Sequence, residues 1–177
     1  SLIGATQGLH FDGVLDAHVG RKVPIWMFLA EGLIDWLSLA LLLLVAGRLL
    51  SKTAFRSIDL LGTQALARWP TLIVSLACVA PGFHRFSNEL IKSMLSMGRD
   101  PTKFSFPAFS MDTVVFGAVT FLMLACTVWM VALMWKSFSH CCNVRGGAAV
   151  GSFVGCLLAA EVLSKWLITM LFRTLAI

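Results

Sequence analysis

From Thr113 to Trp135 the chain carries no charged side chain, and an apolar run of that length limits what can surround it. A hydrocarbon layer about 30 Å thick is crossed by about 20 residues of helix, because a helix bonds every backbone polar group within its own segment. Two further runs meet the same requirement, Ile25 to Gly47 and Gly146 to Phe172. With 58% hydrophobic and 13% charged residues, the composition lies outside the range of soluble domains. The expected fold is therefore all-α, a polytopic transmembrane helix bundle built as one domain over residues 1–177.

A fourth span is expected at 60–82, and it is the least uniform. Asp59 stands just before it, Arg68 sits in its apolar first half, and Pro70 interrupts the middle by removing a backbone N–H and crowding the preceding turn. A bent or two-part helix ending near Pro81-Gly82 follows, with Gly62 allowing close approach of a neighbour. The Ser1-Leu2-Ile3-Gly4-Ala5 opening reads as the tail of an earlier helix, so four spans (25–47, 60–82, 113–135 and 146–172) are visible of an expected five. Basic residues fall on both sides of these spans. Weighting the short loops places Arg48, Lys52, Arg56, Lys136 and Arg145 on the cytoplasmic side.

Ionisable residues inside apolar spans are costly and mark function by default. Glu31 and Asp35 are four apart in the first span, one above the other on a single helix face, which must point into the bundle or to the interface. Asp59 and Arg68 are out of phase on their helix, so Arg68 is expected to find Glu31 or Asp35. Glu161 and Lys165 can neutralise one another in place at i, i+4. These six residues form the expected intramembrane polar network.

Gly147, Gly151, Gly155 and Ala159 recur every fourth residue, a small-residue strip that lets a neighbouring helix backbone come close. Between spans two and three, Phe86, Leu90, Ile91, Met94 and Leu95 oppose Glu89, Lys92 and Arg99. The connector 84–112 is thus amphipathic, suited to the membrane surface or to a partner, with an irregular re-entry around Pro101 and Pro107. Trp135-Lys136 suits an interfacial anchor.

Metal and catalytic signals are weak. His10, Asp12, Asp16 and His18 could gather as ligands, but a solvated loop or short interfacial helix over His10 to Lys22 explains the same residues. His140, Cys141 and Cys142 lack a second cluster at ligand spacing, and Cys78, Cys126 and Cys156 sit in apolar segments as small hydrophobes. No metal or cofactor is expected. Nor does the chain hold a phosphate-cradling loop, a paired-histidine zinc helix or a nucleophile elbow, so an enzyme is not expected. The net charge of +5 is spread singly between apolar blocks, which argues against nucleic acid.

Arg56, Asp59, Gly62, Ala65 to Ala67 and Pro70, together with Cys142-Asn143-Val144-Arg145-Gly146-Gly147 and the glycine-rich helix ending in Glu161 and Lys165, resemble the bacterial branch of the Yip family. These are polytopic membrane proteins named for interaction with Ypt/Rab GTPases. The eukaryotic branch carries Asp-Leu-Tyr-Gly-Pro where this chain has Asp59-Leu60-Leu61-Gly62-Thr63, a departure at the residues that would speak for a Rab-type partner. The resemblance implies a five-helix bundle with a cytoplasmic amino end, in a bacterial cytoplasmic membrane. It implies no reaction. Residues and resemblance together suggest a non-enzymatic scaffold or accessory subunit, in contact with lipid and a membrane-protein partner. The alternative is a small ion- or proton-linked permease that uses the intramembrane carboxylates, although no inverted repeat is visible.

Overall fold

The computed structural model describes residues 9–10, 13–16, 18–19, 24–99 and 108–174. They form an all-α bundle, with one two-residue antiparallel pairing near the amino end. In that pairing β1 (Leu9–His10) lies against β2 (His18–Val19), with His10 opposite His18. The ends of this segment therefore pair as a hairpin, where a loop or short interfacial helix was expected. Its strands lie one on each side of Gly13, which sits so close to the bundle that a side chain there would collide with the Glu161 carboxylate.

Helix α1 spans Ile25–Leu50, α5 spans Met111–Cys141 and α6 spans Gly147–Thr174, and these three are long and apolar enough to cross a membrane. The chain is thus an integral membrane protein by helix length and composition. Each helix exceeds the expected span; the 31 residues of α5 rise about 46 Å and project beyond the hydrocarbon. Trp135 lies six residues before the end of α5 and packs edge-on to Phe153 at 5.4 Å.

The second expected span, 60–82, is two-part, as expected from Pro70. Helix α2 (Ser57–Leu66) stops before Pro70, and α3 (Pro70–Ala77) begins at it. Pro70 has no N–H to continue the ladder, and the chain tightens instead: Arg68 N–H bonds Ala65 O at 3.2 Å and Trp69 N–H bonds Leu66 O at 3.1 Å. Helix α3 ends at Ala77, four residues short of Pro81, which opens α4 (Pro81–Arg99). The axis turns by 83° there, so the α2–α3 rod and α4 make at most one broken span. Helix α4 lies crosswise, held by Phe83 and Phe86 stacking on Phe116 of α5 at 5.4 and 4.7 Å. The Pro101 and Pro107 re-entry lies outside the described residues.

Two periodicities divide each long helix. On α1, Glu31, Asp35, Leu39 and Leu43 are buried while Leu33, Leu37, Leu41 and Val45 are exposed. On α6, Ala149, Phe153, Leu157, Ala160 and Ser164 are buried while Val150, Val154, Leu158 and Val162 face outward. Lipid tails are as apolar as these side chains, so inner-face packing and hydrogen bonds hold the helices together. Polar staples cross the bundle accordingly. Trp36 Nε1 of α1 donates to Leu61 O of α2 at 3.1 Å, and Gln64 Nε2 of α2 donates to Met134 O of α5 at 3.0 Å.

Close approach falls on glycines other than those expected. A Cβ at Gly47 would meet Cys142 Sγ at 2.5 Å, and one at Gly82 would meet Asp112 Oδ1 at 2.9 Å, whereas one at Gly62 would meet nothing within 4 Å. The α5–α6 turn uses Asn143 and Gly146 with φ of 49° and 84°, left-handed backbone that these two types tolerate. All five cysteines are free thiols.

Candidate functional site

The polar residues of α1 converge with those of the hairpin and α6 at one end of the bundle. Glu31 and Asp35 are each 1% exposed, so their shared face turns inward. His10 of β1 comes down onto this face. Its Nδ1 lies 2.9 Å from Glu31 Oε1, and its ring stacks on Phe28 with centroids 4.6 Å apart. The far arm of the hairpin region meets α6: Leu15 N–H donates to Glu161 Oε2 at 3.0 Å, and Lys165 Nζ donates to Asp16 Oδ2 at 2.8 Å. Lys165 also lies 3.1 Å from Glu161 Oε1, the i, i+4 pair read from the sequence. The amino-terminal segment is thereby pinned across the bundle end at both α1 and α6.

Arg68 is delivered by the α2–α3 break, whose tightened turn aims the side chain toward α1. It does reach Asp35, but not as the expected ion pair. Arg68 Nη2 donates to the backbone carbonyl of Asp35 at 2.8 Å, and among the described residues no carboxylate lies within ion-pair distance of Arg68. Glu31 is not its partner either, being engaged by His10. Both carboxylate oxygens of Asp35 and Nε of Arg68 are buried without a hydrogen-bond partner among the described residues. Ser164, on the facing side of α6, bonds the Glu161 carbonyl at 3.3 Å.

Asp35 and Arg68 line a cavity of about 120 Å³. The hairpin residues Gly13 to Asp16 cap it, Phe28 and Gly32 contribute from α1, Thr71 and Val74 from α3, and Met123, Cys126, Thr127 and Met130 from α5. A space this size accommodates water or a small solute, and buried polar atoms without partners need one or the other. Asp59 stands apart, exposed in the first turn of α2, where a carboxylate complements the helix dipole. The remaining five of the six expected network residues all lie at this end of the bundle.

The weak metal candidates divide between different partners. His10 goes to Glu31 and Asp16 to Lys165; Asp12 and the side chain of His18 lie outside the described residues. Among the described residues no group of three or more His, Cys, Asp or Glu is arranged to hold a metal ion. Gly147, Gly151, Gly155 and Ala159 are exposed on the face of α6 opposite its buried one, and a Cβ at any of the three glycines would meet nothing within 4 Å.

Three features escaped the sequence reading. Gln64, 1% exposed, is a buried staple whose only signal was an amide in an apolar run. Arg85 and Asp112 form a two-pronged pair at 2.7 Å for each bond, joining α4 to α5 across a long loop that hides the pairing in sequence. Gly13 is the third, a loop glycine that owes its position to Glu161. No protein-family model, curated protein or solved structure matches the chain.

Proposed function

We propose that this integral membrane protein is a non-catalytic scaffold or accessory subunit of the Yip type, in a bacterial cytoplasmic membrane, which seats a helix of another membrane protein on α6. The supporting observation is the outward position of Gly147, Gly151, Gly155 and Ala159. The bundle packs against the opposite face of this helix and leaves open space above each glycine. Small residues at fourth positions let two helix backbones approach closely in lipid, where close van der Waals contact drives association. Among the described residues no helix makes use of them. The test is a mild-detergent pull-down of tagged protein from native membranes, compared with Gly151→Leu and Gly155→Leu. A stoichiometric membrane-protein partner lost in both variants supports the reading; recovery of the bundle alone with wild type removes it.

A second reading, a small ion- or proton-linked permease, is favoured by the unpartnered Asp35 carboxylate in the cavity. Flux into liposomes that falls on neutralising Glu31 and Asp35 would support it.

A further inference from the structure

We propose that the cavity between the hairpin, α1 and the α2–α3 break is a binding site for a small zwitterionic solute of the amino-acid class with an apolar side chain. Its cationic end lies against Asp35 and its anionic end against Arg68.

Glu31 does not line the cavity; His10 bonds its Oε1 at 2.9 Å, while its Oε2 is buried without a hydrogen-bond partner among the described residues. Of the acids nearer the mouth, Asp16 is held by Lys165 at 2.8 Å, and Glu161 by Lys165 at 3.1 Å and by the Leu15 amide at 3.0 Å. Asp35 and Arg68 remain. They carry opposite charge and line the same cavity, yet no ion pair joins them. Between them they present two buried acceptors, Oδ1 and Oδ2, and one buried donor, Nε. Leaving such atoms unpaired is costly, more so when they are charged, so a guest that pairs them gains specificity as well as affinity. The guest must offer at least two donors and one acceptor.

Charge narrows the class. A plain cation satisfies Asp35 but faces the guanidinium, and a plain anion does the reverse. A solute with both charges and no net charge matches a site of the same description. Much of the rest of the wall is apolar, from Val14, Phe28, Val74, Met123 and Met130, and the Thr71 and Thr127 hydroxyls are already bonded to the carbonyls of Arg68 and Met123, which leaves surface suited to a small aliphatic side chain. The exposed residues Leu15, Asp16 and Gly32 belong to the same lining and place the mouth beside the hairpin. This inference does not depend on the accessory-subunit reading, since a subunit and a carrier alike can hold a solute.

The experiment is equilibrium dialysis of radiolabelled L-alanine against the detergent-purified full chain, with n-propylamine and propionate as competitors carrying one charge each. Saturable alanine binding is expected, with each competitor at least tenfold weaker. Asp35→Asn and Arg68→Gln should each weaken alanine binding at least tenfold. Gly32→Leu, which fills open space at the mouth and leaves both charges in place, keeps the test independent of whether the charge variants fold; it should abolish binding without lowering the melting temperature. Absence of saturable binding, competition by n-propylamine as strong as by alanine itself, or full binding by folded Asp35→Asn or Gly32→Leu would each overturn the proposal.

Discussion

Arg68 bonds Asp35 through the backbone carbonyl at 2.8 Å, and the carboxylate oxygens of the same residue have no hydrogen-bond partner within normal distance among the described residues. The two charges still share one cavity, where the low dielectric makes an opposite charge valuable even without contact. Arg68→Leu should therefore destabilise the fold by about 3 kcal/mol, because it leaves Asp35 as an uncompensated buried charge. Combining it with Asp35→Asn should restore part of that loss, with a coupling of about 1 kcal/mol in a double-mutant cycle from detergent melts. Strict additivity would show that the two side chains do not sense each other.

His10 and Glu31 make the hairpin's contact with α1, with side chains only 6% and 2% exposed. Breaking a buried pair from one side strands the other partner, at a cost of about 3 kcal/mol. His10→Ala should lower the melting temperature and speed hydrogen exchange over Leu15 and Asp16, which share the hairpin. His10→Ala with Glu31→Gln should exchange more slowly than His10→Ala alone, since no acid is then stranded. An unchanged melt in the single variant would mean that the contact contributes nothing.

The sequence disclosed the long helices because apolar runs long enough to cross a bilayer admit few other folds. The inward turn of Glu31 and Asp35 was equally legible, since a four-residue spacing fixes a shared face whatever the partner. Partner identity was not. Whether Arg68 would meet a carboxylate or a carbonyl depends on the turn that Pro70 imposes, a matter of a few ångströms that no spacing rule contains. His10 was read as a loop residue because its partner lies across a hairpin whose two-residue strands are too short to show alternation. The amphipathic pattern of α4 was visible, but not the 83° turn that separates it from α3, because Pro81 can end one helix or begin the next.

Glycines make the same point and supply a third prediction. Gly47 lies against Cys142 Sγ and, at 3.1 Å, the Phe55 ring, so a methyl group there must displace packed atoms. Gly47→Ala should cost about 1–3 kcal/mol, the usual range for overpacking. Gly151→Ala meets open space and should stabilise the isolated bundle by up to about 1 kcal/mol, because alanine restricts the unfolded chain. Melts of the two variants in one detergent check the contrast, and equal effects would mean that the two glycines do not differ in surroundings.

Helix α4 supplies the last prediction, on how the chain meets its membrane. One edge of its apolar side, Phe83 and Phe86, is buried against α5, whereas Ile91, Met94 and Leu95 are 41%, 53% and 67% exposed. Arg85, Glu89 and Lys92 occupy the opposite side. A helix set crosswise to α3, with an apolar strip left uncovered and charges facing away, fits the headgroup boundary, its strip sunk about 5–10 Å. Nitroxide labels at Leu95→Cys and Lys92→Cys, in a background with the native cysteines replaced and reconstituted in liposomes, should therefore differ. The Leu95 label should relax faster with oxygen, which concentrates in lipid, and the Lys92 label with a water-soluble nickel chelate. If the Leu95 label responds to the chelate as strongly as the Lys92 label does, the strip faces water and α4 does not lie on the bilayer.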